Sequence, residues 1–599
     1  MLLKLSMKGI KSRLRDYIIL FFGLVIASAI FYMFEAIATN KDFLESNSPI
    51  SATVQIFQFG SSLLSIVTFF YILYANSFLM TIRQKDYALF LMLGAKVRKI
   101  AQMIFIETFM IGLIATLLGS VIGVSLTQLV SKLLTNQLGL TLSHFSAFNL
   151  HGLLITLVFF MILFLLAAIL NALSIAKKPI LTLLRINATP NRLTFNKKFL
   201  LLKAILGIGL IAIGYYITTD IYRFKQLGIL ISLIATMVGT YLIFNSVLIF
   251  LLTWLKKMDS ISLKQLTNFT LSQLSFRIRE YTQMLSMVTI LLALSLGALT
   301  VGLSFNHLSL ESSEGTSRYD LILNNSQKMN QTNVNDLKLT LNVTYSQKEN
   351  KDCIYYINEE FDRHPLLVNN REDNKKVKKI ALASQGIKKI KNQQFLKDLE
   401  LPNQKEKQIK LVSQSSFNQL PFKISKLQVI QVKNFEEKTT KIRKLATQNK
   451  QLNLSYDQMN NMPTEQKIEV YDTMKGLYSG FIFMGFFLGI AFLTMLASCL
   501  MFKILSGATS DIIRYNMLKK IGARQYLLKQ SITKEIAVLF LAPGSLGVIH
   551  VLFGLQLFNS LLNPYQGIWL PFSIFFILYF LYFILTVWLY QSIVLKNEK

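Results

Sequence analysis

Long apolar runs alternate with short polar segments along most of this chain. A helix needs about 20 predominantly apolar residues to cross the hydrocarbon core of a bilayer, and ten runs reach that length. The pattern therefore predicts an α-helical polytopic membrane protein with ten transmembrane helices. We expect the spans at about Tyr17–Ile37, Thr53–Met80, Met103–Val130, Leu150–Ala176, Phe199–Thr219, Leu227–Trp254, Gln283–Leu303, Leu477–Phe502, Thr533–Leu561 and Ile568–Tyr590.

One polar stretch, at about 306–475, interrupts this pattern between the seventh and eighth spans and is long enough for a domain of its own. Short alternating runs predict strands in it, and a Lys-, Glu- and Thr-rich stretch predicts a helix at Glu436–Gln451, so the expected class is α+β. The strands are expected at Tyr319–Leu323, Lys338–Tyr345, Cys353–Ile357, Ile380–Ser384, Ile409–Ser413 and Leu427–Val432.

Residues 84–119 and 512–547 read as two copies of one segment, which we call repeat 1 and repeat 2. Each copy runs from a basic loop into an apolar run, as expected where a loop enters a membrane helix. The predicted organisation is an amphipathic segment at 1–16, helices 1–4 with repeat 1 at 17–176, helices 5–7 at 177–305, the polar domain at 306–475, and helices 8–10 with repeat 2 at 476–599. The paired residues are Tyr87 and Tyr515, Leu93 and Ile521, Gly94 and Gly522, Ala95 and Ala523, Lys96 and Arg524, Gln102 and Gln530, Ile104 and Ile532, Glu107 and Glu535, and Gly119 and Gly547.

Composition and charge set the orientation that we expect. Hydrophobic residues make up 52% of the chain, and the formal net charge is +31. The segments 1–16, 81–102, 177–198, 255–282 and 503–532 are strongly basic, and basic loops remain on the cytoplasmic side during insertion. The sequence therefore predicts a plasma-membrane protein with both termini in the cytoplasm and the polar domain outside.

A Lys-rich patch is the most charged feature of the polar domain. It consists of Lys375, Lys376, Lys378, Lys379, Lys388, Lys389 and Lys391. Such a patch can be an ordinary solvated basic surface, a surface for anionic lipid head groups or phosphates, or a docking surface for another protein. The sequence leaves these three interpretations open.

Nothing in the sequence indicates catalysis. The two cysteines and five histidines show no metal-ligand spacing, and no phosphate-binding loop is present. Glu107 and Glu535 occupy equivalent places near the inner ends of the third and ninth spans, where each is expected either to pair with a nearby cation or to transmit loop movement. His550 is expected to form a hydrogen bond between helices. We expect no bound cofactor, no metal, no nucleic-acid partner and no enzymatic activity.

The two basic loops each contain a short amphipathic stretch that ends at a glycine, Gly94 or Gly522. We expect a short helix lying across the membrane face there, suited to a groove of a cytoplasmic partner. The alternative is a surface helix that binds only membrane lipids. The duplication favours the partner, because lipid alone would not require the same register twice.

Several motifs in this chain resemble those of the FtsX-like permeases of the bacitracin-resistance (Bce-type) ABC transporters. The motifs are Ile72-Leu73-Tyr74-Ala75-Asn76, Arg83 to Asp86, Leu93-Gly94-Ala95, Glu107, His144-Phe145-Ser146, the amphipathic start Leu5 to Tyr17 and the late Gly547 to His550. The resemblance extends over the membrane part, where it implies two FtsX-like repeats in helices 2–4 and 8–10, and it is weak within the polar domain.

The resemblance implies a permease that works with a separate ATPase homodimer, which would hold the ATP and Mg, and with a membrane histidine kinase. It further implies protection of cell-wall lipid intermediates against peptide antibiotics in a bacterial plasma membrane. By resemblance, the ATPase would bind two coupling segments, whose residues are Asp86, Tyr87, Leu93, Gly94 and Ala95 in one copy and Arg514, Tyr515, Lys519, Lys520, Gly522 and Ala523 in the other.

Two other functions remain as alternatives. One is a mechanotransmission permease that activates a cell-wall hydrolase, and the other is an extruder of lipids or lipoproteins. Relatives of the first kind have about four spans per chain and no reason to contain both repeats. An ion-coupled carrier fits less well, since clusters of carboxylates at the membrane midplane are not evident.

Overall fold

The structure is a computed structural model that describes residues 14–40, 50–138, 146–176, 197–258, 266–370, 378–453, 466–559 and 561–595. The chain divides into two compact units: a membrane unit, Met1–Phe305 with Ser479–Lys599, and an insert domain, Asn306–Tyr478. The first seven long helices are α1 (Leu14–Ala38), α2 (Ile50–Met92), α3 (Val97–Leu138), α4 (Leu150–Ala176), α5 (Lys197–Thr219), α6 (Ile221–Lys257) and α7 (Thr267–Thr316).

The insert domain contains seven described strands and several short helices. The strands are β1 (Leu321–Asn324), β2 (Leu339–Glu349), β3 (Cys353–Ile357), β4 (Leu366–Asn370), β5 (Lys378–Leu382), β6 (Gln408–Val412) and β7 (Ile424–Val432). The helices are α8 (Gln331–Asn335), α9 (Asn358–Arg363), α10 (Ser384–Ile387), α11 (Ile390–Lys397), α12 (Gln414–Gln419) and α13 (Phe435–Leu452). The remaining long helices are α14 (Lys467–Lys520), α15 (Gln525–Gly554) and α16 (Trp569–Val594).

Within the described residues, ten helices are long and apolar enough to cross a membrane. They are α1 to α7 and α14 to α16, with the insert domain between the seventh and the eighth. The predicted fold class, ten transmembrane helices with one α+β domain in that position, is therefore confirmed.

The expected short helices across the membrane face are not separate elements. The apolar part of α2 ends at Ala75, but the helix continues without a break to Met92. In the same way α14 continues from Leu505 to Lys520. The sequence between Gly60 and Gly94 contains no glycine or proline to end the helix, so the amphipathic stretch extends α2 instead of starting a new helix.

Small residues bring α1 close to α3. A Cβ atom added at Gly119 would lie 2.7 Å from the backbone oxygen of Val25 and would collide with the Ser28 hydroxyl. A Cβ added at Gly123 would lie 2.8 Å from the oxygen of Ala29. The two glycines therefore allow α1 and α3 to approach closely, because neither position has room for a larger side chain.

The equivalent contact in the second half joins α15 to α7. A Cβ atom added at Gly547 would lie 2.7 Å from Leu292 Cδ2 and 3.2 Å from the oxygen of Thr289. Helix α7 thus packs on repeat 2 as α1 packs on repeat 1. Each half therefore has one more equivalent helix than the FtsX-like repeats expected in helices 2–4 and 8–10, and α5 and α6 lie between the two copies.

The main sheet of the insert domain has five strands in the order β1-β7-β2-β3-β6. Neighbouring strands in this sheet are antiparallel, except for β3 and β6, which are parallel. Leu321 and Leu323 lie in one hydrophobic cluster and Ile322 in another, so β1 buries side chains on both faces of the sheet. Helix α13 covers one face, and β4 and β5 form a separate hairpin.

Candidate functional site

The first repeated loop, which we call turn 1 (residues 89–97), closes with a hydrogen-bond pattern typical of a helix C-terminus. Gly94 has a φ of +90°, in the left-handed region. Its amide donates to the oxygen of Leu91 at 3.1 Å, and the Ala95 amide donates to the oxygen of Phe90 at 2.9 Å. This pair of bonds is the Schellman motif, which ends a helix sharply at a glycine.

Turn 2 (residues 517–525) has the same geometry. Gly522 has a φ of +98°. Its amide donates to the oxygen of Lys519 at 3.0 Å, and the Ala523 amide donates to the oxygen of Leu518 at 3.0 Å. The next helix then begins after the same number of residues, at Gln525 as at Val97. The two copies are therefore equivalent in backbone structure as well as in sequence.

A buried tyrosine anchors each turn to the membrane unit. Tyr87 packs with Ile100, Met103 and Ile104, and its hydroxyl donates to Glu107 Oε2 at 3.3 Å. Tyr515 is also buried, with its ring edge-to-face to Phe269 at 6.0 Å. Glu107 is buried beside turn 1, where its carboxylate connects the end of α2 to α3.

Apolar side chains project from both turns at equivalent positions. Leu93 is 81% exposed and Ile521 is 83% exposed. One helical turn earlier, Leu89 and Met517 are 53% and 54% exposed. The sequence identified Leu93 but not this i, i+4 pair, although the shared apolar character of positions 89 and 517 could have revealed it.

Basic side chains surround these apolar positions. Lys96, Arg98 and Lys99 are exposed at turn 1, and Lys519, Lys520 and Arg524 are exposed at turn 2. Each turn thus presents a small apolar surface within a positively charged rim. Asp86, the first residue of the predicted coupling segment before turn 1, is half-buried. Glu535 is buried on α15.

Turn 2 has an additional polar network that sequence reasoning missed. The buried Asp511 accepts a hydrogen bond from the Tyr590 hydroxyl of α16. Arg514 Nη1 lies 3.4 Å from Asp511 Oδ1 and donates to Gln273 Oε1 of α7 at 2.7 Å. Arg514, predicted as a coupling residue, therefore connects the end of α14 to a neighbouring helix.

The structure describes only part of the predicted lysine patch. Lys375 and Lys376 lie outside the described residues, as do the side chains of Lys378 and Lys391. Lys388 and Lys389 are exposed. The ammonium of Lys379 donates to the oxygen of Arg318 at 2.9 Å, and burial lowers the pKa of Lys379.

His550 joins three helices, as the sequence predicted for an interhelical hydrogen bond. Its Nδ1 lies 2.6 Å from the hydroxyl of Tyr215 on α5, and its Nε2 lies 2.8 Å from the hydroxyl of Thr240 on α6. The α5–α6 hairpin is thereby attached to α15. Among the described residues, no group of acidic, His or Cys side chains is arranged to hold a metal ion.

Comparisons with known proteins agree with this architecture. Residues 58–180 match the family model described as FtsX-like permease C-terminal, a range that contains turn 1. The chain is 23% identical to the bacitracin export permease protein BceB of Bacillus subtilis (strain 168), with 96% of each chain covered. It is also 23% identical to the uncharacterized ABC transporter permease YvcS of that organism, over 99% of each chain.

A third relative, the ABC transporter permease protein YxdM of Bacillus subtilis (strain 168), is 22% identical over 92% of this chain and 93% of its own. These alignments extend over both the membrane unit and the insert domain, because they cover nearly the whole chain. Residues 58–180 thus match an FtsX-like permease model, the chain is similar over nearly its whole length to permeases of ABC transporters, and the predicted resemblance to the Bce-type permeases is confirmed.

Proposed function

We propose that this chain is the permease subunit of an ABC transporter, and that a separate ATPase homodimer binds turn 1 and turn 2, one ATPase copy to each. The observation that carries the proposal is the duplicated surface at Leu93 and Ile521. Both side chains are more than four-fifths exposed at the end of a helix with the same backbone geometry. A symmetric dimer offers two identical grooves and would require such a pair of surfaces.

The chemistry of the turns supports a protein partner. An exposed aliphatic side chain at a helix end gains free energy when it enters an apolar pocket. The basic rim adds attraction to a partner with acidic residues beside its groove and would also speed association. ATP and Mg would then be held by the ATPase, and this chain would be a transporter subunit without catalytic residues of its own.

The arrangement of charge supports the orientation. Both turns lie in basic segments, and the rule for insertion places such segments in the cytoplasm, where an ATPase would find ATP. The insert domain would then face the outside of a bacterial plasma membrane, and both termini the inside. Glu107 and Glu535, buried at the start of α3 and α15, would transmit movement of the turns into the membrane helices.

The substrate class is proposed from the relatives. The name of BceB describes export of bacitracin. We propose that ATP-driven movement of the membrane helices shifts the insert domain and so lifts a bacitracin-like peptide antibiotic from a cell-wall lipid intermediate at the outer leaflet. In this proposal the lysine patch contacts anionic lipid groups. A membrane histidine kinase senses the activity of the transporter.

Aspartate substitutions at the two exposed tips test the proposal. Leu93→Asp and Ile521→Asp place a charge in the apolar contact, so each should reduce co-purification of the ATPase by about 10-fold or more. Bacitracin tolerance of cells should fall with it. Ile424→Asp is the matched control, because Ile424 is an exposed apolar residue of the insert domain. Undiminished co-purification by both tip variants would refute the proposal, and defective cell separation with normal tolerance would favour hydrolase activation.

A further inference from the structure

A buried ion pair joins the first residue of α14 to the insert domain. Lys467 has only 5% of its side chain exposed, and its Nζ lies 2.6 Å from Asp320 Oδ1. The same Nζ lies 3.6 Å from Glu314 Oε1, on the last turns of α7. One ammonium group therefore connects the end of α7, the segment leading into β1 and the start of α14.

Asp320 is itself fixed to the sheet. Its second oxygen, Oδ2, accepts a hydrogen bond from the Val432 amide at 2.8 Å, and its own amide donates to the oxygen of Ile430 at 2.9 Å. The Lys467 ammonium also lies 4.2 Å from the centroid of the Phe435 ring, on α13. The ion pair is thus held by the strand β7 on one side and by an aromatic face on the other.

Gln466, the residue before Lys467, forms hydrogen bonds with the free edge of β1. The side-chain Oε1 of Gln466 accepts a hydrogen bond from the Ile322 amide at 3.1 Å, and its Nε2 donates to the oxygen of Ile322 at 2.5 Å. Ile468, the residue after Lys467, lies in the hydrophobic cluster on the α13 side of the sheet. The start of α14 is therefore built into the insert domain by an amide, a charge and an apolar side chain in succession.

The ion pair between Lys467 and Asp320 fixes the position of α14 more than it raises the free energy of unfolding. Replacing a buried ion pair by neutral groups of similar size often leaves the free energy of unfolding nearly unchanged, whereas removing one partner leaves an unpaired buried charge. The direction of the attraction, however, is specific: it draws Lys467 toward Asp320. The nearby pair Arg443 and Asp472 is a bidentate contact with side chains 48% and 35% exposed, so solvent screens its charges far more than those of Lys467 and Asp320.

We propose that Lys467 is a positioning residue that holds the first turn of α14 against the β1–β7 edge, so that displacement of α14 is carried into the sheet of the insert domain. This inference rests on the proposed function, in which movement that begins at turn 2 must reach the insert domain. Helix α14 is the helix that both ends at turn 2 and begins at Lys467.

The double variant Lys467→Met with Asp320→Asn tests this in the full-length protein. It removes both charges together, and the Asn oxygen can still accept from the Val432 amide. Amide hydrogen exchange of the peptides 320–324 and 466–470 should become about 10-fold faster, while exchange in β2 and β3 stays within about two-fold, because the local contact is released and the fold is kept. The ATPase should still co-purify, and peptide-antibiotic tolerance should fall by about 10-fold if movement no longer reaches the sheet.

Two controls distinguish positioning from general stability. Arg443→Met with Asp472→Asn removes the more exposed pair between α13 and α14 and should leave exchange and tolerance within about two-fold of the wild type. Lys467→Arg keeps the charge and should restore tolerance above that of the neutral double variant. Unchanged exchange at 320–324 in the double variant, or tolerance that survives faster exchange, overturns the inference. A wild-type protein that binds no ATPase would instead count against the proposed function.

Discussion

Glu400 is a carboxyl group buried in the core of the insert domain. Its Oε1 is hydrogen-bonded to the Tyr356 hydroxyl, which is itself 2.7 Å from Gln347 Oε1. A phenol has one proton, so Tyr356 donates to only one of these oxygens, and a protonated Glu400 can donate to the phenol. Burial raises the pKa of Glu400 from its usual 4.5 to about 8, against the opposing effect of the Tyr356 hydrogen bond.

This raised pKa predicts a pH-dependent stability. Between pH 4.5 and about 8 the folded protein holds a proton that the unfolded chain releases, so the free energy of unfolding falls as pH rises across that window. The slope from one such group is at most about 1.4 kcal/mol per pH unit. In Glu400→Gln the amide keeps the hydrogen bond without titrating, so the slope should disappear. Urea unfolding with pulse proteolysis at pH 5 and pH 9 measures it.

The control for this experiment is Glu406→Gln. Glu406 belongs to the same segment of the insert domain but is exposed, so its loss should leave the pH slope of the wild type in place. A wild type whose stability does not fall between pH 5 and pH 8 would contradict the burial-driven pKa shift.

At the residue scale, the sequence predicted positions that depend on local chemistry. Gly94 and Gly522 follow amphipathic stretches, and both adopt the left-handed conformation that ends a helix. It could not predict Glu400 or Lys467, because each is buried by segments distant in the chain. Nothing in the neighbouring residues indicates which charged side chain will lose its contact with water.

At the scale of secondary-structure elements, the glycines that end α2 and α14 give a prediction about the two turns. A Cβ atom at Gly94 or Gly522 would meet nothing within 4 Å, so the cost of a side chain there comes from the backbone alone. For a residue other than Gly or Asn, the left-handed conformation costs roughly 1–2 kcal/mol. Gly94→Val and Gly522→Val should therefore shift the turns and weaken ATPase co-purification, whereas Gly94→Asn and Gly522→Asn should bind nearly as the wild type does.

Gly297→Ala is a matched control for these variants. Gly297 also has open space around a Cβ, but it lies within α7 and has no positive φ. The alanine should leave both binding and insertion unchanged. Equal binding by the Val variants and the wild type would show that the turn geometry is not needed for the partner.

Packing between α1 and α3 gives a second prediction at this scale. A side chain at Gly119 would press on the backbone oxygen of Val25, which cannot move aside, whereas one at Gly547 first meets the flexible end of Leu292. Overpacking of this kind typically costs about 1–3 kcal/mol. Gly119→Ala should therefore lower the thermal stability of the purified protein more than Gly547→Ala. Size-exclusion recovery after heating measures it, and an equal loss in both variants would contradict the argument.

The strands of the insert domain and its longest helix were largely readable from the sequence, because alternating runs bounded by polar residues match a sheet with one or two buried faces; the five shorter described helices were not predicted. The prediction for β3 at Cys353–Ile357 has the bounds of the structure, but β4 at Leu366–Asn370 was missed. Its apolar run of three residues, Leu366 to Val368, is too short to show alternation. The short surface helices were predicted wrongly because amphipathicity alone does not show where a continuous helix ends.

At the scale of the whole molecule, the membrane unit contains two related groups of four helices, with α5 and α6 between them. The first is α1 to α4 and the second is α7 with α14 to α16, and in each the leading helix packs on the glycine that follows the turn. The insert domain follows the leading helix of the second group, where the first group has only the short segment between α1 and α2. The sequence repeat revealed the turns, but the leading helices share no motif, so only their packing identifies them as equivalent.

The orientation of the whole molecule is the last prediction. If basic segments remain inside, both turns face the cytoplasm and the insert domain faces outward. The two native cysteines, Cys353 and Cys499, are buried and can be replaced by Ser. Single cysteines then report each side: Leu93→Cys and Ile521→Cys for the turns, and Ile424→Cys, at a position 55% exposed, for the insert domain.

In cells that lack the ATPase, a membrane-impermeant maleimide applied to intact cells should label the insert-domain cysteine alone, and both turn cysteines should react only after permeabilisation. The high exposure of Leu93 and Ile521 ensures that a lack of labelling in intact cells reflects the membrane barrier and not burial, since permeabilised cells provide the comparison. Labelling of either turn from outside would reverse the orientation. It would also separate the turns from any ATPase, because nucleotide-hydrolysing subunits depend on ATP inside the cell.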